Sequence, residues 1–184
     1  MSAKPVSETR LRLAQMMTPN DANYLGKVFG GSILSLIDLT ASACSSKFAG
    51  TTCVTAAFER VDFLQPVEIG ELVELDGVVS YVGRTSVEVT IQVHATNLQR
   101  NERRHVNTAT VTMVALRDGK PSEVPRLLCE NSEDKRRYLS GQLRRELHSA
   151  RLKELTTLYA RLESLPEPEL DALIAAGAGV RDRL

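Results

Sequence analysis

The sequence predicts an α+β fold in which an antiparallel sheet wraps around one long buried helix, with a C-terminal helical extension. Three observations predict it. One apolar run with helical spacing, residues 30–48, stands in the first third of the chain. Four later segments alternate with a period of two and are joined by short connections, which makes successive strands antiparallel neighbours. Beyond residue 125 the composition turns charged and helical. One helix against one antiparallel sheet forms two layers and leaves the outer sheet face for a partner.

The 184 residues suffice for one domain with an appendage, here a body over 1–125 and an extension over 126–184. Residues 9–17 read as a first strand with Leu11, Leu13 and Gln15 on one face. TPNDANYLGK follows as a loop rich in the turn formers Pro19, Asn20, Asp21, Asn23 and Gly26. From Gly30 to about Phe48, Ile33, Leu34, Leu36, Ile37 and Leu39 cover more than one helical stripe, the mark of a buried helix. ASACSS keeps its second half slim, and Gly50 is the stop signal. Residues 51–63, 71–82, 85–97 and 104–116 then read as strands rich in Val, Thr and Ile. Segment 131–163 carries eight basic and five acidic side chains, with Leu139, Leu143 and Leu147 at helical spacing. Its mixed charge predicts an amphipathic helix packed on the body or on a neighbouring subunit. The tail from Pro166 shows no interpretable motif.

Composition narrows the partners. Apolar residues make up 42% and charged residues 25%, enough for a core and too balanced for global disorder. The 23 basic and 23 acidic residues cancel, which argues against nucleic acid. Cys44, Cys53 and Cys129 are an odd, unclustered set, suggesting neither a disulfide framework nor zinc, and fit a reducing cytoplasm. No apolar run resembles a signal peptide or reaches the about 18 residues of a membrane span. No metal or cofactor is expected, since His94, His105 and His148 lack metal-ligand spacing, and the absence of GxSxG sets aside a serine hydrolase.

Two features could carry chemistry. Asp38 interrupts the apolar helix, where an ionised carboxylate is costly unless paired or used. Ser35, Ser42 and Ser45 make a polar stripe beside it, so a place on the wet side of the helix also explains it. Gly30 and Gly31 begin the helix, where free N–H groups form a site for partial negative charge such as an oxyanion. A tight helix–sheet contact is the other use of two glycines. Asp38 lies two turns further on, about 10 Å by helical rise, and a second antiparallel helix in a dimer would bridge that gap. In YVGRTSVEV, Gly83 interrupts a strand pattern, while Arg84, Thr85 and Ser86 suit a phosphate or an ordinary hairpin surface. Arg100, Arg103, Arg104 and His105 read as a solvated hairpin tip.

PNDANYLGKVFGGSILSLIDLTASA resembles the helix signature of hotdog-fold acyl-CoA thioesterases of the bacterial short-chain and brain-type cytosolic branch. The resemblance continues through VTAAFERVDFLQPVEIGELVEL and YVGRTSVEVTIQV to TATVTMVALRDGKPSEVP, about residues 9–125. It implies an acyl-CoA hydrolase releasing fatty acid and coenzyme A, with Asp38 as general base or nucleophile. Asn23 and Gly31, with Gly30, would come from one subunit and Asp38 from the other. Gly83, Arg84, Thr85 and Ser86 would lie near the coenzyme A arm. A dimer joined edge to edge, and a hexamer of three dimers, are implied. Leu25 stands where many relatives carry a second asparagine. The rival reading is an acyl-CoA-binding regulator of the same fold without catalysis.

Overall fold

Helix α1, Gly30–Ala49, is the axis of the molecule, and a curled antiparallel sheet surrounds one side of it. The computed structural model describes residues 3–59, 61–177 and 179–183. Ile33, Ile37, Ala41, Cys44 and Phe48 recur every three or four residues and are at most 1% exposed, and Leu36, Thr40 and Ser45 beside them are buried too, so a broad face meets the sheet, as expected of a buried helix. Leu39 departs from that expectation and is 55% exposed. The reason is geometric, since Leu39 and Asp38 lie off the sheet-facing stripe. Gly50 ends the helix in the left-handed conformation, φ +70°, as its position predicted.

Three of the strands follow the alternating segments closely, while the segment 51–63 is a strand only over Cys53–Phe58 because the chain leaves the sheet ladder after Phe58. β1 (Ala3–Pro5) precedes β2 (Leu11–Met16), and β3 (Cys53–Phe58) follows α1. β4 (Leu72–Val82), β5 (Ser86–Asn97) and β6 (Glu102–Arg117) are long, and β7 (Lys120–Pro121) folds back on β6. The sheet order is β2-β4-β5-β6-β3, every neighbouring pair antiparallel. Inward side chains such as Leu75, Val89, Ile91, Val111 and Met113 are fully buried against α1. Gly77 has no side chain because Thr40 of α1 fills that space; an added Cβ would sit 2.9 Å from its methyl. β1 pairs in parallel with β8 (Arg126–Leu128), a contact between the chain's start and residues 126–128 that no local pattern announces.

Helix α2, Ser132–Glu163, is charged as expected, and only Asp134 and Gly141 on it are buried. Asp134 accepts hydrogen bonds from Glu130 N and Asn131 Nδ2 and pairs with Arg137 at 3.1 Å. Gly141 lies so close to the Tyr81 side chain that any Cβ would collide. The chain divides into two compact units, 1–141 and 142–184, the boundary falling within α2. The second unit holds the rest of α2, α3 (Glu167–Ala176) and α4 (Val180–Arg183). Among the described residues no helix is long and apolar enough to cross a membrane.

Candidate active site

The start of α1 is built to leave donors unused. Phe29 occupies the N-cap position and has no side-chain acceptor to offer. Its own N–H is taken by Asp21 O at 2.7 Å, and Ser32 N bonds back to Phe29 O at 2.9 Å. The amides of Gly30 and Gly31 have no acceptor within the helix, and the helix dipole adds partial positive charge there. A Cβ on Gly31 would collide with the Phe29 ring, whereas one on Gly30 would make an ordinary contact with the Phe63 ring at 3.5 Å. The close neighbours are thus two phenylalanines and not a strand of the sheet.

Asn23 shapes the loop that leads into this helix start. Its Oδ1 accepts from Leu25 N at 2.9 Å and Lys27 N at 3.1 Å, while its N–H donates to Lys27 O at 2.7 Å. That leaves the Nδ2 donor of a half-buried side chain for another partner. Leu25, in place of a second asparagine, is 68% exposed and contributes only its backbone to the loop.

Asp38 is half-buried and accepts a short hydrogen bond at Oδ1 from the Thr55 hydroxyl of β3. Thr55 Oγ1 also lies 3.5 Å from Met113 Sδ. The polar stripe of serines therefore does not explain Asp38 by itself. Thr55 was not singled out from the sequence, although alternation from buried Cys53 places it on the helix-facing side of β3. Within one chain Asp38 and Gly31 remain about 10 Å apart along the helix. Within one chain the candidate residues thus fall into two groups, Asn23 beside the helix start and Asp38 beside Thr55.

Gly83, Arg84 and Thr85 form the β4–β5 turn, and Ser86 begins β5. Gly83 N donates to Ser86 O at 2.9 Å, so Gly83 lies in a hairpin turn. The turn is tied to the rest of the chain by Val124 N to Arg84 O at 3.1 Å and Ala115 N to Thr85 O at 2.9 Å. Arg84 is exposed, its guanidinium 3.9 Å from Glu123. A cavity of about 380 Å³ beside it includes Arg126 and Tyr138. Val87 pairs with Met113, and Met113 with Thr55, so Val87, two residues beyond the turn, lies about 10 Å from Thr55 across two strand spacings. The other basic cluster is occupied. Arg103 pairs with Glu74 at 3.1 Å, and Arg104 pairs with Glu71 at 2.6 Å.

Neither histidines nor cysteines form a competing centre. Among the described residues no group of three His, Cys, Asp or Glu side chains could hold a metal. Burial pushes the Cys44 thiol up to about 12, far from a reactive thiolate. His94 stacks edge-on with His105 at 5.4 Å, and burial holds its pKa below the ordinary value.

The comparisons with known proteins agree with this geometry. A family profile described as the thioesterase superfamily matches residues 25–100. An acyl-CoA thioester hydrolase of Bacillus subtilis is 35% identical, the match covering 69% of this chain and 74% of that protein. The crystal structure of an apo-hexameric acyl-CoA thioesterase superposes with TM-score 0.79 at 37% identity, covering 83% of this chain and 98% of the other. An acyl-CoA hydrolase of Staphylococcus aureus, solved with butyryl coenzyme A and coenzyme A, superposes with TM-score 0.77 at 32% identity over 88% of this chain and 99% of that one. The same enzyme has been solved with alanine in place of an asparagine, an aspartate and a threonine. The chain therefore belongs to the thioesterase superfamily, among its hotdog-fold acyl-CoA thioester hydrolases.

Proposed function

We propose that the chain hydrolyses acyl-CoA to a free fatty acid and coenzyme A, with Asp38 acting on the thioester carbon. The observation that carries this reading is the Asp38 carboxylate, set on α1 and held by Thr55 at the edge strand β3. Asn23, Asp38 and Thr55 are spaced by 15 and 17 residues. The asparagine, aspartate and threonine replaced in the S. aureus enzyme have the same spacing.

As general base, Asp38 takes a proton from water as the water oxygen bonds to the thioester carbon. The oxyanion rests on the N–H of the partner subunit's Gly31, with Gly30 beside it and Asn23 Nδ2 orienting the water or the thioester. Collapse breaks the C–S bond, and the departing thiolate takes the proton from Asp38. As nucleophile, Asp38 instead displaces the thiolate and forms an anhydride that water then opens. Both routes need an oxyanion donor that Asp38's own helix start cannot supply at about 10 Å.

A dimer meets that need. β3 is the sheet's edge strand, with Val54 42% and Phe58 39% exposed, and edge-to-edge joining of two copies would cover them. A hexamer of three dimers follows the hexameric relative. Gly83, Arg84, Thr85 and Ser86 would hold the phosphates of the coenzyme A arm, and the three free thiols fit a cytoplasmic setting.

The test is release of free thiol from short to long acyl-CoAs by wild type and Asp38→Asn, with coenzyme A binding followed by calorimetry. The expected result is a fall in kcat of about 10³-fold with binding retained. Turnover indifferent to the substitution would overturn the assignment of Asp38. Tight binding without turnover in the wild type would make the chain an acyl-CoA-binding regulator.

A further inference from the structure

Beside the unused amides of α1 lies a cavity of about 250 Å³, lined by Val28, Gly30, Ile33, Phe63, Leu64 and Val67 among others. Its side chains are almost all apolar. The volume falls below the about 300–1,000 Å³ of pockets that take a whole drug-sized ligand, so it suits one arm of a substrate. One wall is the irregular segment 62–67, where Phe63 and Leu64 remain 47% and 63% exposed although both are large and apolar. The Phe63 ring stands directly over Gly30.

This wall has no strand or helix of its own, yet hydrogen bonds hold it at several points. Leu64 N donates to Val106 O at 3.0 Å, and Val28 N donates to Val67 O at 3.0 Å. Asn107 Nδ2 donates to Asp62 O at 2.7 Å, and Arg104 Nη2 donates to Pro66 O at 2.7 Å. Arg104 is itself fixed by both carboxylate oxygens of Glu71 at 2.6 Å. The anchors Val106 and Asn107 adjoin because β6 bulges there: Val93 pairs with Asn107 and His94 with His105, leaving Val106 as the extra residue. Bulges re-aim backbone and side chains in this way beside functional sites.

Asn107 is a poor core residue. It is fully buried, and its Oδ1 accepts no hydrogen bond among the described residues. An apolar side chain of similar size would fill the space without stranding an acceptor. The amide's one bond, to the Asp62 carbonyl, is what it adds.

We propose that Phe63 and the 62–67 wall receive the acyl chain beside the helix start and set which chain lengths are accepted. Asn107 and Arg104 are positioning residues that hold this wall in place. The inference rests on the thioesterase reading for its substrate and adds the residues that select it.

The test measures kcat and KM of wild type, Phe63→Ala and Asn107→Leu on butyryl-, octanoyl- and dodecanoyl-CoA. In parallel, the affinity of the same ligands and of free coenzyme A is measured for proteins carrying Asp38→Asn. Phe63→Ala is expected to raise the ratio of kcat/KM for dodecanoyl- over butyryl-CoA by about tenfold, the scale on which apolar pockets discriminate chain carbons. Asn107→Leu is expected to flatten the chain-length profile through KM with free coenzyme A binding unchanged; a purely structural defect would lower all substrates alike. Since Phe63 is half-exposed, its truncation leaves a folded protein even where the core substitution does not. Turnover with a Phe63→Ala profile parallel to wild type overturns this inference and spares the thioesterase reading. Absence of turnover with a chain-length shift in affinity does the reverse. Ligands that bind no better with an acyl chain than without one sink the wall's role outright.

Discussion

Helix α1 begins and ends in opposite ways. At its C-terminus the last turn is held: Gly50 closes it, its N–H bonded to Ser46 O, and Lys4 Nζ donates to Phe48 O at 2.7 Å. A cation at a helix C-terminus also complements the dipole. At its N-terminus the cap residue is Phe29, without a capping oxygen, and two glycine amides stand open. A helix selected for stability alone would carry Ser, Thr, Asp or Asn at that cap, worth about 1 kcal/mol. The contrast sets an end held by the fold against an end whose amides suit the ligand oxygen proposed above.

Substitutions at the two ends should separate activity from stability. Gly31→Ala brings a methyl against the Phe29 ring and onto the face where the oxyanion would rest. It is expected to lower kcat by about 10²-fold, the scale of losing one oxyanion donor, with a thermal midpoint within a few degrees of wild type. A large fall in midpoint with normal turnover would mean that Gly31 serves packing.

The next effect is smaller and concerns the support of the helix start. Glu71 is buried, and its hydrogen bond from Arg104 holds its carboxyl below the ordinary range. Its folded-state pKa is therefore lower than its unfolded one, so the pair's contribution is fully present above the unfolded value of about 4.3 and is lost as pH falls through the folded value. Urea unfolding of wild type should weaken over that acid window. Glu71→Gln should already be about 2–3 kcal/mol less stable at pH 7 and flatter with pH. Equal acid slopes in the two proteins would refute the assignment.

Smallest is the opposite end. Lys4→Met should cost about 0.5 kcal/mol in chemical unfolding and leave kcat/KM untouched. A change in turnover there would dissolve the contrast between the two ends.

Much of this was legible before any coordinates. The apolar run over 30–48 became α1, and four alternating segments became β3, β4, β5 and β6, because burial on one face imposes its period on the sequence. Asp38, Gly30 and Gly31 could be singled out because each breaks a local rule, and Asn23 only through the family resemblance. Thr55 could not, since a threonine in a strand breaks none and its meaning depends on a helix 17 residues earlier. The parallel pairing of β1 with β8 and the grip of Asn107 on Asp62 were equally silent. Both join distant segments over three residues or fewer, too short a stretch to leave a periodicity behind. The buried extent of α1 was over-read at Leu39 for the converse reason: apolar composition reports what can be buried, not what is.

The separation of Asp38 from Gly31 by two helical turns also has a genetic consequence on the two-subunit reading. A chain lacking the carboxylate and a chain with a spoiled helix start are each inactive alone. Paired in one dimer, they assemble one intact site from the sound half of each, beside one doubly defective site. Two such alleles would therefore complement one another, while either would poison half the sites of a wild-type partner.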